Sequence, residues 1–431
     1  MLSTEARASL RVTCRIARGR LGAVSSSTVP SCSSTSAATL RTRQLSTTVL
    51  TRAKHTSSKQ AIPSSSIRLR SFTTGPPRSS QQPFQFLTAY AFQGKPRSSD
   101  DLPQEGDSPT SASSVNEEDG SSAAAAETSA KKAQIGFPAD SEIGRWRDEL
   151  LRGGEAGEDS LMCTSMGAQG DVAIGVADGV GGWTENGIDP SLFSQALMFY
   201  ASRSAAKPEE AAAPNRILAE AFEHVLKEPL VVAGSATACI LTLKSSDGTL
   251  RSANLGDSGF VILRQGTGKQ GVFYASPPQQ LGFNTPLQLA KLPKEWIQEG
   301  SISNTPKDAA AWECTLQHGD LIIVGTDGLF DNVDAKIEIP QFAKFIKEKH
   351  HALYAARHAA DAAGEAKHDS LAEDREFVQV LATNLVEYAK ICQNTTTKQS
   401  PFEREAARYG IHFPGGKVDD VALVCCLVIE Q

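Results

Sequence analysis

Nothing in this chain offers a thiol or zinc centre. Its eight cysteines (Cys14, Cys32, Cys163, Cys239, Cys314, Cys392, Cys425 and Cys426) contain no CxxC pair and have no histidine partner at zinc-finger spacing. They read as buried or incidental thiols of a reducing compartment. The eight histidines, His350-His351 included, show no ligand pattern and are expected at the surface. A membrane span is also missing, because the longest apolar run, Val421 to Ile429, falls far short of the roughly 20 residues that cross a bilayer. No GK[ST] follows the glycine-rich Gly175 to Trp183, which excludes a P-loop. No internal repeat is visible.

Acids are nearly absent from the first stretch. Met1 to Arg97 holds twelve arginines and three lysines against the single Glu5, while the whole chain carries −6, so the remainder is strongly acidic. An acidic body argues against nucleic acid as a partner, since phosphate backbones are held by clustered Lys and Arg. Residues 1–70 are rich in Arg, Ser, Thr and Ala, with Arg7, Arg11, Arg15 and Arg18 placed to gather charge on one helix. That is the composition of a mitochondrial presequence, and no compact apolar region of secretory type follows the first arginines. Residues 71–134 read as a disordered linker, for the acidic, Ser- and Ala-rich part from Ser98 to Gln134 cannot bury enough apolar surface to fold.

From Ile135 onward, apolar stretches of strand length alternate with Gly and Asp, and 135–431 is predicted as one folded domain. Strands are predicted at Leu161 to Met166, Val172 to Ala177, Thr237 to Leu243, Leu250 to Leu255, Phe260 to Arg264, Val272 to Ala275, Leu321 to Gly325 and Val421 to Ile429. Helices are predicted at Pro190 to Ser204, Asn215 to Lys227, Pro340 to His350 and Leu371 to Cys392. The charged, alanine-rich stretch between Asp334 and Phe402 reads as partly an insertion.

Several acids lie just outside these strands, at ends that antiparallel pairing brings together. Glu158 and Asp159 precede one strand of a hairpin and Asp178 follows its return. Asp257 closes a second hairpin. Asp327 follows Leu321 to Gly325, and Asp419 and Asp420 precede the final strand. One cleft can thus collect Glu158, Asp159, Asp178, Asp257, Asp327 and Asp419. Packed carboxylates repel one another, so such a cluster needs cations at neutral pH. An oxygen-only donor set without His or Cys selects magnesium or manganese. Two such ions can share a hydroxide for in-line attack on phosphorus, which makes phosphate-ester hydrolysis the expected reaction. Each Asp-Gly pair taken alone is an ordinary turn. Their ordered recurrence at strand ends is what carries the argument.

Together the motifs GED (Gly157 to Asp159), GVADGVGGW (Gly175 to Trp183), GSATACI (Gly234 to Ile240), ANLGDSG (Ala253 to Gly259), GTDGLFDNV (Gly325 to Val333) and DDVALV (Asp419 to Val424) resemble the protein phosphatase 2C family, and most closely its mitochondrial branch. The resemblance implies an α+β fold, a four-layer αββα sandwich of two antiparallel sheets flanked by helices, with a metal site at one edge. It further implies that Asp178 bridges two Mn2+ or Mg2+ ions, that Gly179 lends a carbonyl, and that Asp327 and Asp419 ligate the second ion. Glu158 and Asp159 would hold metal-bound waters, and Asp257 would help with a third, weaker ion. The implied substrates are phosphoserine and phosphothreonine in mitochondrial matrix proteins. The alternatives are a non-catalytic binding module of the same fold and a small-metabolite phosphatase.

Two positions depart from the family pattern. Val180 stands where many members carry a His that can protonate the leaving group, and Gly154 stands where a phosphate-binding Arg is usual. Arg145, Arg147 and Arg152 are the nearest replacements in sequence.

Overall fold

The computed structural model describes residues 84–96, 135–167, 170–207, 213–267, 271–297, 301–363 and 371–430. The basic segment 1–70, with its presequence character, lies outside them. All the described residues belong to one compact unit, Pro76–Gln431.

The chain first enters a sheet earlier than its sequence predicts, at β1 (Phe84–Gln93). Then come α1 (Glu142–Leu151), the hairpin of β2 (Asp159–Met166) and β3 (Asp171–Asp178), and the helices α2 (Pro190–Ala205) and α3 (Pro214–Lys227). Five strands follow: β4 (Gly234–Ala236), β5 (Ala238–Leu243), β6 (Thr249–Leu255), β7 (Gly259–Leu263) and β8 (Val272–Ala275). Three short ones, β9 (Gln280–Gly282), β10 (Thr285–Pro286) and β11 (Leu289–Lys291), lead to β12 (Ala310–Thr315) and β13 (Leu321–Gly325). A single turn, α4 (Asp327–Phe330), precedes the long α5 (Glu338–Ala363) and α6 (Ala372–Gln393). The chain then passes through α7 (Pro401–Arg408) to β14 (Val421–Glu430).

Two five-stranded antiparallel sheets result, in the orders β1-β14-β13-β7-β8 and β12-β6-β5-β3-β2. The final strand shows why they stack. Ala422, Val424, Cys426 and Val428 enter the layer between the sheets, where they join Leu161, Ile174, Leu241 and Phe260. Leu423, Cys425, Leu427 and Ile429 face the other way, onto Ile339 and Ile346 of α5 and Val378, Leu381 and Leu385 of α6. With period-2 side chains and both faces covered, a strand must be apolar throughout, which explains the unbroken run. The second sheet repeats the scheme, turning Ala173 and Ala177 toward Leu197 of α2 and Leu218 of α3. The αββα sandwich that the family resemblance implies is the observed architecture.

Two sequence expectations need correction, and one helix was missed. Residues 84–93 are not linker: β1 pairs with β14 over its whole length, from Phe84↔Glu430 to Gln93↔Val421, and buries Phe86, Leu87 and Ala89. Its apolar character is diluted by Gln85, Thr88 and Gln93, and only its partner strand makes it legible. In the stretch after Asp334, α5 and α6 form the outer helical layer of the first sheet. The helix α1, capped by the Ser141 hydroxyl accepting from the Gly144 N–H, was not anticipated. Finally, His350 is buried rather than at the surface. It bonds Asp374 Oδ1 at 2.9 Å through Nδ1 and His318 Nε2 at 3.1 Å through Nε2. That relay sits at the Glu430 end of β14, away from the acids at its start.

Candidate metal centre

The acids meet where the strand register puts them. Asp159 and Asp178 are directly paired residues at the open end of the β2–β3 hairpin. Gly325 of β13 lies opposite Leu423 of β14, so Asp327, two residues past one strand, and Asp419-Asp420, just ahead of the other, emerge at the same edge. Asp257 sits in the turn that carries the chain from β6 in one sheet to β7 in the other. Asp178, Asp257 and Asp327 each present one carboxylate oxygen, all within 4.8 Å of one another. Each sheet and the crossover between them thus contributes one acid to the trio.

Close packing fixes the surroundings. A Cβ on Gly179 would lie 2.7 Å from the Glu158 carbonyl oxygen and 2.8 Å from that of Pro190, so only glycine fits beside Asp178. A Cβ on Gly328 would lie 1.8 Å from the Asp420 carbonyl oxygen, which is how Asp327 comes against the start of β14. Thr326 Oγ1 donates to Asp159 Oδ2 at 2.8 Å and accepts from the Ala422 N–H at 3.1 Å, tying β2, β13 and β14 together. Asp420, buried, accepts from the backbone N–H groups of Lys95 at 2.6 Å and Glu158 at 2.8 Å. Its carboxylate is spent on holding backbone.

Two lysines enter the cluster that the sequence reading did not single out. Lys417 Nζ lies 2.5 Å from Asp327 Oδ2, 3.0 Å from Asp331 Oδ2 and 3.0 Å from Asp419 Oδ2. Lys95 Nζ lies 2.8 Å from Glu158 Oε2, 3.7 Å from Asp419 Oδ1 and 3.8 Å from Asp420 Oδ2. The i,i+4 spacing of Asp327 and Asp331 was a visible signal for the latter acid. Nothing near Lys95 in the sequence marked it, since it follows a strand that was itself missed. Asp419 therefore stands outside the close trio but is joined to it through Lys417, and Glu158 is joined to Asp419 through Lys95. Asp257, given a minor role by the resemblance, is inside the trio.

Of the arginines considered for phosphate, Arg147 is committed elsewhere. It donates to Asp148 Oδ1 and to the carbonyl oxygens of Ile135 and Phe137. Arg145 is turned to the Asp140 carbonyl, and Arg152 ends α1 in a left-handed conformation with φ 48°.

Burial and mutual repulsion dominate the electrostatics. Burial pushes Asp178 well above the ordinary carboxylate range, and Asp327, Asp159, Asp419 and Asp257 add to the rise. Burial and Asp420 likewise raise Asp159. Asp257 is pushed up to about 6 by burial and by Asp327. Burial works in the same direction on Asp327, but the charge and hydrogen bond of Lys417 outweigh it and hold that carboxyl below its usual value. An acid whose pKa rises on folding binds more protons folded than unfolded, so the stability it lends at low pH is lost as pH climbs through the raised value. For Asp257 that window runs from 3.8 to about 6, and Asp178 and Asp159 extend it upward. In chelator the melting temperature should therefore fall as pH rises from about 5 to about 7.5, and saturating manganese should flatten the slope. A chelated protein equally stable across that range would contradict this account.

The site suits a hard divalent cation. Asp257 Oδ1 is buried with no hydrogen-bond partner, its other oxygen accepting from Gln280 Nε2 at 2.9 Å, and neither His nor Cys belongs to the trio.

A two-sheet sandwich flanked by helices, with an all-oxygen acid centre at one end, defines the protein phosphatase 2C class. The comparisons with curated relatives agree. The family profile described as Stage II sporulation protein E (SpoIIE) matches residues 168–378. The chain is 36% identical over 274 residues to the protein phosphatase PTC7 homolog fig of Drosophila mojavensis, spanning 63% of this chain and 78% of that one. It is 33% identical over 287 residues to the protein phosphatase PTC7 homolog of Homo sapiens, spanning 66% and 84%. Among solved structures, that of the photosystem II phosphatase PBCP aligns with a TM-score of 0.47 at 26% identity, covering 65% of this chain and 93% of that one. This chain belongs to the PTC7 homologues of the protein phosphatase 2C family.

Proposed function

We propose that the chain is a magnesium- or manganese-dependent phosphoserine/phosphothreonine phosphatase acting on mitochondrial proteins. The observation that carries the metal dependence is the trio Asp178, Asp257 and Asp327, convergent within 4.8 Å and including a buried carboxylate oxygen without a partner. Asp178, Asp257 and Asp327 would hold the cations directly, with Asp419 and the Gly179 carbonyl beside them. Glu158 and Asp159 would reach them through water. Bound cations would supply Lewis acidity toward the phosphoryl oxygens and lower the pKa of the attacking water.

The chain's own part is to orient. Thr326 fixes the oxygen of Asp159, and Asp420 fixes the backbone entering Glu158. Val180 cannot donate a proton, so the leaving alcohol must take one from water or from another group at the cleft. The arginine-rich, nearly acid-free segment 1–70 supports import into the mitochondrial matrix and is the proposed presequence, with the catalytic domain beginning near β1.

Full-length protein assayed on a phosphothreonine peptide should release phosphate with manganese or magnesium and none in chelator. Manganese binding without turnover would point instead to a binding module. Faster turnover of sugar phosphates than of phosphopeptides would point to metabolite chemistry. Mitochondrial delivery is tested by fusing residues 1–83 to a reporter, and a cytosolic reporter would overturn it.

A further inference from the structure

A phosphate monoester is a dianion, and eight carboxylates crowd the site it must enter: Glu158, Asp159, Asp178, Asp257, Asp327, Asp331, Asp419 and Asp420. Even with divalent cations in place, a substrate of that charge needs a protein cation at the rim, and of the arginines near the Glu158-Asp159 turn Arg145 and Arg147 are engaged elsewhere.

The lysines differ in what they can offer. Lys417 is shared among three carboxylates and its side chain is only 16% exposed. Lys390 gives its ammonium to the Asp419 carbonyl oxygen at 2.8 Å. The Lys95 side chain is more open, 31% exposed, with Glu158 at 2.8 Å and Asp419 and Asp420 farther off at 3.7 and 3.8 Å. Its backbone is anchored from two directions, the Gly94 N–H donating to the Glu155 carbonyl at 2.9 Å and the Lys95 N–H to Asp420 Oδ1 at 2.6 Å. A long side chain thus stands on a fixed base, partly open to solvent beside Glu158 and Asp419.

We infer that Lys95 is the residue that grips the substrate phosphoryl group, replacing the missing arginine from a different part of the chain. The inference rests on the phosphatase reading above. Glu158 and Asp419 are among the residues assigned to the cations, so cation loading draws away the carboxylates that hold the ammonium. The three Nζ donors are then available to phosphate oxygens. Lys95 enters through β1, so the strand that completes the sheet also delivers the phosphate contact.

The test uses full-length Lys95→Met and Lys95→Arg proteins loaded with manganese. Binding of inorganic phosphate is measured by calorimetry, and KM and kcat on a phosphothreonine peptide are measured in parallel. Losing one charge-assisted contact should weaken phosphate binding and raise KM by about 10- to 100-fold in Lys95→Met. Manganese affinity should be unchanged or tighter, and Lys95→Arg should recover most of the loss. Unchanged phosphate affinity in Lys95→Met would overturn the inference. So would a loss confined to kcat and manganese affinity that arginine fails to rescue, since that marks a residue which only holds Glu158. Phosphate affinity is read without turnover, so an unsubstituted protein that binds phosphate through Lys95 yet hydrolyses no phosphopeptide would sink the phosphatase reading alone.

Discussion

Asp178→Asn should lower manganese-dependent phosphate release by at least about 1,000-fold while making the metal-free protein more stable. The two effects share one cause. Asp178 is the member of the trio whose charge is opposed by burial and by four neighbouring acids. Replacing a carboxylate by an amide of nearly the same shape removes that repulsion from the chelated protein. It also removes a charged ligand from the point where the trio converges. Activity and a melting curve in chelator check both halves. A variant that retains activity, or one that loses it by unfolding, would break the link between the cluster's strain and its use.

Starting the chain at Ile135, where the sequence alone places the domain boundary, should yield insoluble protein, whereas a chain beginning at Pro76 should fold. Truncation strips β1 from β14 and uncovers the surfaces that Phe86, Leu87 and Ala89 occupy. Burying side chains of that size, with ten residues of ladder pairing, is worth of order 5 kcal/mol or more, comparable to the whole stability of many domains. It also turns a ten-residue apolar strand into an open edge, a template for aggregation. Soluble expression and thermal melts of the two proteins compare directly. A cooperative melt from the shorter chain would show that β1 is an accessory.

The strands and the acids at their ends were legible for the same reason, whereas the sandwich followed only from the family resemblance. Strands such as Leu321 to Gly325 and Val421 to Ile429 are continuous apolar runs, and an aspartate just outside each marks one end, so pairing rules alone align Asp159 with Asp178 and bring Asp327 toward Asp419. What stayed hidden depends on contacts far apart in sequence. Lys417 looks like an ordinary loop lysine until α4 and β14 bring three carboxylates to it. The task that Asp420 performs shows only in the fold, where both its oxygens are engaged by N–H groups. Lys95 could not be found while its strand, interrupted by Thr and Gln and flanked by polar sequence, passed for linker.

The pairing of Phe84–Gln93 with Val421–Glu430 joins nearly opposite ends of the described chain. Contacts of such sequence separation are closed late, because the entropy of the long loop is lost before the strand contacts repay it. A chain delivered N-terminus first, by the ribosome or through a translocation pore, therefore carries Lys95 and Glu158 long before Asp419 and Asp420 arrive to receive them. The acids at the start of β14 thus take their place beside Lys95 and Glu158 only once that strand has been delivered and paired with β1 and β13.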